Sequence, residues 1–281
     1  MTRLRQALLD AMELRAFAQR TRETYLHWAI ELSQFTHTRP ELLDAADLER
    51  FLLHLLRDQH LSPATCNQAL QALRFLWCIV MKRPDIVVDL PHPRVPQRLP
   101  EILSREEVAR IIAAEGKLPN RTLLMATYAA GLRVSEACHL RVADIDSERM
   151  ALRVEQGKGG RDRYSLLPPQ LLDALRLYWR VCRPQVWLFP QRHAEIPIDP
   201  GQAQKWFYTA RDRAGITKKV GIHGLRHAFA THLLEAGVDL RTIQGLMGHS
   251  SLSSTQRYLH LARPEALAAV SRLNLLDGLA V

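Results

Sequence analysis

Apolar residues recur every three or four positions along roughly the first ninety residues, which is the spacing of one buried helix face. Three such rows are Leu4, Leu8 and Met12; Tyr25, Trp28, Leu32 and Phe35; and Leu70, Leu73, Trp77 and Val80. The pair Ser62-Pro63 is typical of a helix N-cap followed by proline at the first helical position. We therefore predict that this region forms a small bundle of about four helices.

A proline-rich stretch, PDIVVDLPHPRVPQRLP, follows the predicted bundle and contains five prolines. Proline lacks the amide hydrogen that helices and central strands need, so we expect an extended interdomain linker. The pair Ser104 and Glu107 then has the spacing of a capping box that opens a new helix. The pattern predicts an N-terminal domain over 1–83, a linker over 84–100 and a C-terminal domain over 101–281.

The C-terminal domain combines helical rows with one short alternating segment. Met150–Val154 and Tyr164–Leu166 alternate between apolar and polar residues, and the glycine-rich sequence GKGG lies between them. This arrangement predicts a β-hairpin with Lys158 at its tip. Helices are predicted over 123–140 with a break at Gly131, and over 169–182, 202–214, 223–236 and 239–247. The expected fold is mainly α with a small β-sheet.

Composition narrows the class of protein. The chain has 281 residues and is 47% hydrophobic, which is enough to bury a core in each of two domains. No apolar run reaches about 18 residues, so no transmembrane helix is expected. The N-terminus is predicted to be an amphipathic helix and not a signal peptide. Four cysteines without a CxxC pair indicate buried free thiols and a reducing cytoplasm.

The positive charge lies in one part of the chain. Residues 1–92 contain 11 basic and 11 acidic residues, whereas residues 93–281 contain 27 basic and 18 acidic residues. The second part therefore carries the whole net charge of +9. A basic domain favours a polyanionic partner such as DNA or RNA, although many basic proteins bind no nucleic acid.

Two arginines in this basic domain have neighbours that suit anion binding. Arg133 lies in GLRVSEACHL, directly after the expected break at Gly131, and Glu136 follows one helical turn later. Guanidinium groups bind two phosphate oxygens at once, and a carboxylate can orient them. His223 and Arg226 open a later helix, share one face and lie near its positive N-terminus. An isolated Arg–Glu pair is more often a surface salt bridge, so neither cluster is decisive alone.

Three further residues complete the set that phosphodiester cleavage requires, namely fixed cations, an acid and a nucleophile. Lys158 lies between glycines that allow a loop to approach a DNA backbone. His249 ends a helix, where its imidazole can donate to a phosphate oxygen. Tyr258 lies beyond it, and its phenol has a pKa of about 10, so attack requires a base or positive surroundings. Taken singly, these residues are more often a solvated lysine, a helix-terminal histidine and a packed tyrosine.

The order of these residues resembles the active-site pattern of the tyrosine recombinase (phage integrase) family. That pattern is Arg, a hairpin Lys, His-x-x-Arg, His or Trp, and then Tyr, and each position has a counterpart here: Arg133, Lys158, His223, Arg226, His249 and Tyr258. The segment TRETYLHWAIELSQFT resembles the start of the family's N-terminal SAM-like domain, and LPEILSREEVARIIAA resembles the opening of its catalytic domain. The similarity extends over nearly the whole chain and implies an N-terminal SAM-like helical bundle followed by an α+β catalytic domain.

The resemblance implies a role for each residue. Arg133 and Arg226 would hold the scissile phosphate, Glu136 would support Arg133, and His249 would donate a hydrogen bond to the phosphate. These four side chains would stabilise the charge that develops during cleavage.

The other three residues would move protons or form the covalent bond. Tyr258 would form a 3′-phosphotyrosyl link and release a 5′-hydroxyl group, with His223 helping to accept its proton and Lys158 acting as general acid. Neither a metal ion nor ATP is implied. The partner would be double-stranded DNA, bound by a homotetramer on two paired sites, and the apolar row Leu267, Val270, Leu273 and Leu276 would belong to a helix that docks on a neighbouring protomer.

Several alternatives stay open on the sequence. One is a non-catalytic DNA-binding homologue, which would have no need of Tyr258. Another is a type IB topoisomerase, although the N-terminal domain favours a recombinase. Among recombinases, a mobile-element integrase is expected, with chromosome-dimer resolution as the alternative. No long insert separates Lys158 from His223, which disfavours an integron integrase.

Overall fold

The computed structural model describes residues 3–94, 101–155, 162–191 and 195–248. It divides the chain into two units, Met1–Leu99 and Pro100–Val281, each with its own hydrophobic core.

The first unit is built from four helices, as the apolar rows predicted. They are α1 (Arg3–Glu13), α2 (Gln19–Thr36), α3 (Ala45–Arg57) and α4 (Pro63–Arg74), and α4 continues as a π-helical turn over Phe75–Val80. The Ser62 hydroxyl accepts a hydrogen bond from the amide of Thr65 and caps α4. Apolar residues from all four helices, among them the fully buried Phe51 and Trp77, form the core.

The proline-rich stretch does not begin as an extended chain. Pro84–Ile86 forms a 3₁₀ turn, and Ile86, Val87 and Leu90 are buried in the core of the first unit. The extended conformation predicted from residue 84 is therefore wrong at 84–90, because the apolar residues between the prolines pack against the bundle. Arg74 of α4 donates a hydrogen bond to the Leu90 carbonyl and fastens this segment.

The second unit is mainly helical, with a three-stranded antiparallel sheet, as predicted for this half of the chain. Its helices are α5 (Arg105–Ala114), α6 (Leu118–Ala129), α7 (Val134–Cys138), α8 (Pro169–Cys182), α9 (Pro200–Arg213), α10 (His223–Glu235) and α11 (Leu240–Met247). The capping box of Ser104 and Glu107 opens α5 as expected, since each side chain accepts from the other residue's amide.

The sheet contains the predicted hairpin and one strand that was not predicted. Its strands are β1 (Ile145–Asp146), β2 (Ala151–Val154) and β3 (Arg163–Leu166), in the order β1-β2-β3. Strand β1 has only two residues, which is too short to show an alternating pattern. In the β2–β3 pair, Leu152 faces Ser165 and Val154 faces Arg163, so these four side chains share one face of the sheet.

The helix break expected at Gly131 separates α6 from α7. Gly131 has a φ of +58°, and a Cβ added there would lie 2.3 Å from a ring carbon of Phe229 in α10. Both the backbone conformation and the close approach of α10 therefore require glycine.

Among the helices of the described residues, none has the length and apolar character needed to cross a bilayer.

The four cysteines are free, but only Cys66 and Cys138 are buried, while Cys78 is half-buried and Cys182 is exposed. The prediction that every thiol is buried is wrong at Cys182, the last residue of α8, because this end of the helix faces solvent.

Candidate active site

Glu136 lies at the centre of a cluster of three arginines. It is in the first turn of α7, its side chain is only 6% exposed, and its carboxylate accepts hydrogen bonds from Arg133, Arg163 and Arg226. A buried carboxylate is costly unless it is paired and hydrogen-bonded, and this one has a guanidinium group at both oxygens. The cluster is therefore a fixed part of the second unit and not a surface salt bridge.

Arg133 contacts Glu136 twice. Its backbone amide donates to Oε2 at 2.7 Å, which caps the N-terminus of α7, and its guanidinium group donates to Oε1 at 2.5 Å. A second guanidinium nitrogen reaches the Gly248 carbonyl at 3.2 Å. One-fifth of this side chain stays accessible to solvent, so Arg133 retains a surface that a ligand can contact.

Arg226 approaches the same carboxylate from α10. One guanidinium nitrogen donates to the Gly131 carbonyl at 2.6 Å and lies 3.4 Å from Glu136 Oε2, while the other donates to the Met247 carbonyl. Arg133 and Arg226, which are far apart in the sequence, are thus brought together on one carboxylate. The side chain of Arg226 is buried, so these contacts fix its orientation.

Arg163 is the third arginine, and the sequence analysis did not identify it. It lies on β3 and donates a fork of two hydrogen bonds, at 2.8 Å each, to the two oxygens of Glu136. Its Nε donates to the Leu246 carbonyl at 2.9 Å. The signal available in the sequence was its position in the hairpin, because alternation from Ser165 places Arg163 on the inner face of β3.

The C-terminal end of α11 is the other partner that the arginines share. The carbonyls of Leu246, Met247 and Gly248 each accept a hydrogen bond from a different arginine of the cluster. The last carbonyls of a helix have no partner within the helix and carry the negative end of its dipole, so cations bind there favourably. Gly248 ends the helix with a φ of +60°, and Arg163 packs directly beneath it.

The charges of the cluster determine the protonation state of Glu136. Burial alone would raise the pKa of this carboxyl group, but hydrogen bonds and charge from Arg163, the amide of Arg133 and the charge of Arg226 lower it to about 2. Glu136 is therefore ionised at neutral pH. One carboxylate against three guanidinium groups leaves two formal positive charges for an anionic ligand.

His223 lies at the start of α10 and is exposed. Partial desolvation and the positive charges of Arg226 and Arg133 lower its pKa, with Glu136 acting weakly in the opposite direction. The imidazole is therefore neutral at physiological pH and available as a proton acceptor. His223 lies one helical turn before Arg226 on α10, which places it near the cluster.

The structure thus brings Arg133, Glu136, Arg226 and His223 into one region. Lys158, His249 and Tyr258 lie outside the described residues, as does the apolar row from Leu267 to Leu276. Within the described ranges, no group of three histidines, cysteines or carboxylates is arranged to hold a metal ion. The described chemistry is that of a cationic site with a neutral histidine beside it, suited to binding a phosphate group.

Two family descriptions match the chain. The phage integrase family matches residues 101–265, and the N-terminal SAM-like domain of phage integrases matches residues 4–85. A protein of Sinorhizobium fredii assigned to the integrases and recombinases is 42% identical over 277 residues, which cover 98% of this chain and 90% of the relative. The tyrosine recombinase XerA of Pyrococcus furiosus is 37% identical over 240 residues, covering 84% of this chain and 82% of the relative.

Solved structures show the same fold. The crystal structure of a XerA recombinase is 26% identical, with a TM-score of 0.54 and coverage of 94% of this chain and 95% of that one. A XerH recombinase in a post-cleavage complex with a palindromic difH substrate has a TM-score of 0.72 at 21% identity, covering 90% and 80%. A lambda integrase tetramer bound to a Holliday junction has a TM-score of 0.72 at 18% identity, covering 89% and 78%.

Proposed function

The chain belongs to the phage integrase family of tyrosine recombinases, and from that premise we propose that it cuts and rejoins DNA at specific sites through a 3′-phosphotyrosyl intermediate. The observation that carries the proposal is the meeting of Arg133 and Arg226 on the buried Glu136 carboxylate. Two rigidly held guanidinium groups provide fixed positive charge where a phosphodiester gains negative charge during cleavage.

We assign the residues of the active site as follows. Arg133 and Arg226 bind the non-bridging oxygens of the scissile phosphate, and Glu136 holds both arginines. His249 donates to a phosphate oxygen. This assignment is supported by the contact of Arg133 with the carbonyl of Gly248, the residue that precedes His249 in the sequence.

Cleavage and rejoining are then two transesterifications. The phenol oxygen of Tyr258 attacks the phosphorus in line, and its proton passes to the neutral imidazole of His223. The bond to the 5′-oxygen breaks, and Lys158 donates the proton that makes it a 5′-hydroxyl group. In the second step a 5′-hydroxyl from a partner strand attacks the phosphotyrosine, Tyr258 leaves as the phenol, and the DNA is resealed. One phosphodiester bond is exchanged for another, so the chemistry consumes no ATP.

The two units have separate tasks in this proposal. We assign residues 1–83 to a core DNA-binding domain and 101–281 to catalysis. Residues 84–100 join the two, and their first part, 84–90, packs on the core of the first domain. The full net charge of the chain lies beyond residue 92, which suits the DNA backbone. We place the protein in the cytoplasm, where bacterial DNA is found.

We also propose that the protein acts as a homotetramer on two paired DNA sites, with a helix from the apolar row between Leu267 and Leu276 docked on the next protomer. The lambda integrase relative is described as a tetramer on a Holliday junction, which supports this assembly. Deletion of residues 264–281 is expected to abolish cooperative DNA binding in a gel-shift titration. Unchanged cooperativity would exclude docking by this tail.

The biological role that we propose is movement of a mobile element, in keeping with a relative named as an integrase/recombinase. The alternative is chromosome-dimer resolution. Footprinting of DNA that flanks the gene for this protein distinguishes the two roles. Protected sites at the ends of an element support integration, and a single palindromic chromosomal site supports dimer resolution.

The reaction itself is tested with a nicked duplex that carries the footprinted site. The nick lets the 5′-hydroxyl fragment diffuse away and traps the covalent protein–DNA adduct. We expect the wild-type protein and a Tyr208→Phe control, altered at an exposed tyrosine of α9, to form the adduct, and Tyr258→Phe to form none. An inactive wild type would contradict the proposed function, while an adduct with Tyr258→Phe would contradict the choice of nucleophile.

A further inference from the structure

Arg163 joins two elements of the arginine cluster to strand β3. Its fork to Glu136 joins β3 to α7, and its bond to the Leu246 carbonyl joins β3 to the end of α11. The side chain is only 9% exposed, so these contacts leave little of it for a ligand. Its surroundings suit a structural task within the active site better than direct contact with DNA.

The charge of Arg163 affects how Arg133 and Arg226 are oriented between Glu136 and a bound phosphate. Glu136 has two oxygens, and Arg163 occupies both in a planar fork, which is the strongest pairing available to a carboxylate. Without it, the negative charge of Glu136 would be balanced by Arg133 and Arg226 alone. Those guanidinium groups would then turn more fully towards Glu136 and away from a bound phosphate.

The position of Arg163 on β3 also fixes one side of the hairpin. Ser165, two residues further along the same face, donates to the Ala130 carbonyl at 2.6 Å. This contact fastens β3 to the break between α6 and α7, three residues before Arg133 in the sequence. Strand β3 is therefore anchored to the segment that carries Arg133 and Glu136.

We propose that Arg163 is a positioning residue for strand cleavage: it neutralises Glu136 so that Arg133 and Arg226 remain directed at the phosphate, and it joins the hairpin strand to the C-terminal end of α11. This inference rests on the proposed function. Arg163 acts through Glu136 and the backbone, and it contacts neither DNA nor the reacting atoms.

The test is the single-turnover rate of adduct formation on the nicked substrate, with protein in excess so that every DNA site is occupied. Arg163→Met removes the charge and the fork while keeping an unbranched side chain. We expect cleavage to slow by about 100-fold, since small displacements of groups that position a substrate have effects of this size. Arg176→Met is the matched control, because Arg176 pairs with Asp173 on the exposed surface of α8, and it should cleave at the wild-type rate.

A second substitution separates charge balance from a general loss of structure. In Arg163→Met/Glu136→Gln the unbalanced carboxylate is gone, so we expect this double variant to cleave about 10-fold faster than Arg163→Met, a difference of about 1.4 kcal/mol in activation free energy. The coupling between the two residues is this difference plus whatever Glu136→Gln loses on its own. If the losses from the two single substitutions simply multiply, charge balance is not the role of Arg163. Should Arg163→Met fail to fold, Arg163→Lys is used, and cleavage by it at the wild-type rate contradicts the need for the fork.

The outcomes also separate this inference from the proposed function. If the wild type forms the adduct and Arg163→Met forms it equally fast, only the proposed role of Arg163 is overturned. A wild type that forms no adduct on its footprinted site overturns the proposed reaction itself.

Discussion

The stability of the second unit should depend on pH through Glu136. The arginines lower the pKa of this carboxyl group from its ordinary value of 4.5 to about 2 in the folded protein. Each pKa unit corresponds to about 1.4 kcal/mol, so ionised Glu136 contributes about 3 kcal/mol to the free energy of unfolding. A carboxyl group with a depressed folded pKa stabilises the protein above its unfolded pKa. The contribution is therefore fully present above about pH 5.5 and is lost progressively as the pH falls towards about 2.

The perturbation is Glu136→Gln, which leaves a neutral side chain of the same shape. Near neutral pH the variant should be less stable than the wild type by about 3 kcal/mol. At about pH 3 this difference should narrow by about 2 kcal/mol, because unfolded Glu136 is then mostly protonated while the folded carboxyl group is still mostly ionised. Titrating groups on which Glu136 does not act contribute equally to both proteins and cancel in the difference.

Urea unfolding measured by tryptophan fluorescence provides the free energies. Trp28 and Trp77 lie in the first unit and Trp179, Trp187 and Trp206 in the second, so a Trp28→Phe/Trp77→Phe background reports on the second unit alone.

Glu148→Gln serves as the matched control, because Glu148 is an exposed glutamate of the same unit. The free energy of unfolding of this variant should differ little from that of the wild type at every pH. If the difference in free energy of unfolding between Glu136→Gln and the wild type stays constant between about pH 6 and about pH 3, the arginines do not hold the carboxylate ionised, and the prediction is wrong.

Two further predictions concern the backbone around the cluster. Gly131→Ala should destabilise the second unit by about 3 kcal/mol, because it forces a left-handed alanine against Phe229, whereas Gly116→Ala has open space and should change little; equal urea midpoints for the two variants would contradict this. Asp239→Ala and Asp199→Ala each remove a helix N-cap and should each cost about 1 kcal/mol, but only Asp239→Ala should also slow cleavage, because α11 supplies the carbonyls that orient the arginines. Equal cleavage rates in these two variants would show that α11 does not position the site.

Most helices and the hairpin of the fold could be predicted from local sequence patterns. Local rules are sufficient where a helix has an apolar face and a marked end, and the helices that begin after Ser62 and Ser104 lie where their caps predicted. The β2–β3 hairpin followed in the same way from alternation of period two. Local rules were insufficient at residues 84–90, where the prolines indicated an extended chain but Ile86, Val87 and Leu90 are buried in the first core.

The sequence also indicated Arg133, Glu136 and Arg226, because their spacing and their resemblance to a known pattern do not depend on knowing the fold. The sequence did not indicate the hydrogen bonds that join these residues. Arg226 and Glu136 are 90 residues apart, and the arginines that bind the α11 carbonyls are up to 115 residues from them, so no local pattern predicts either contact.

Arg163 is the residue whose role depends most on the packing of distant elements. In the sequence it is one basic residue among several after a glycine-rich turn. In the fold, the register of β3 directs the Arg163 side chain inward, where it packs between α7 and the end of α11. Arg163 therefore pairs with the buried carboxylate of Glu136 and is not a surface cation. Charge type is fixed by the sequence, but the burial that makes a charge pair strong, and the choice of its partner, arise only when distant elements pack together.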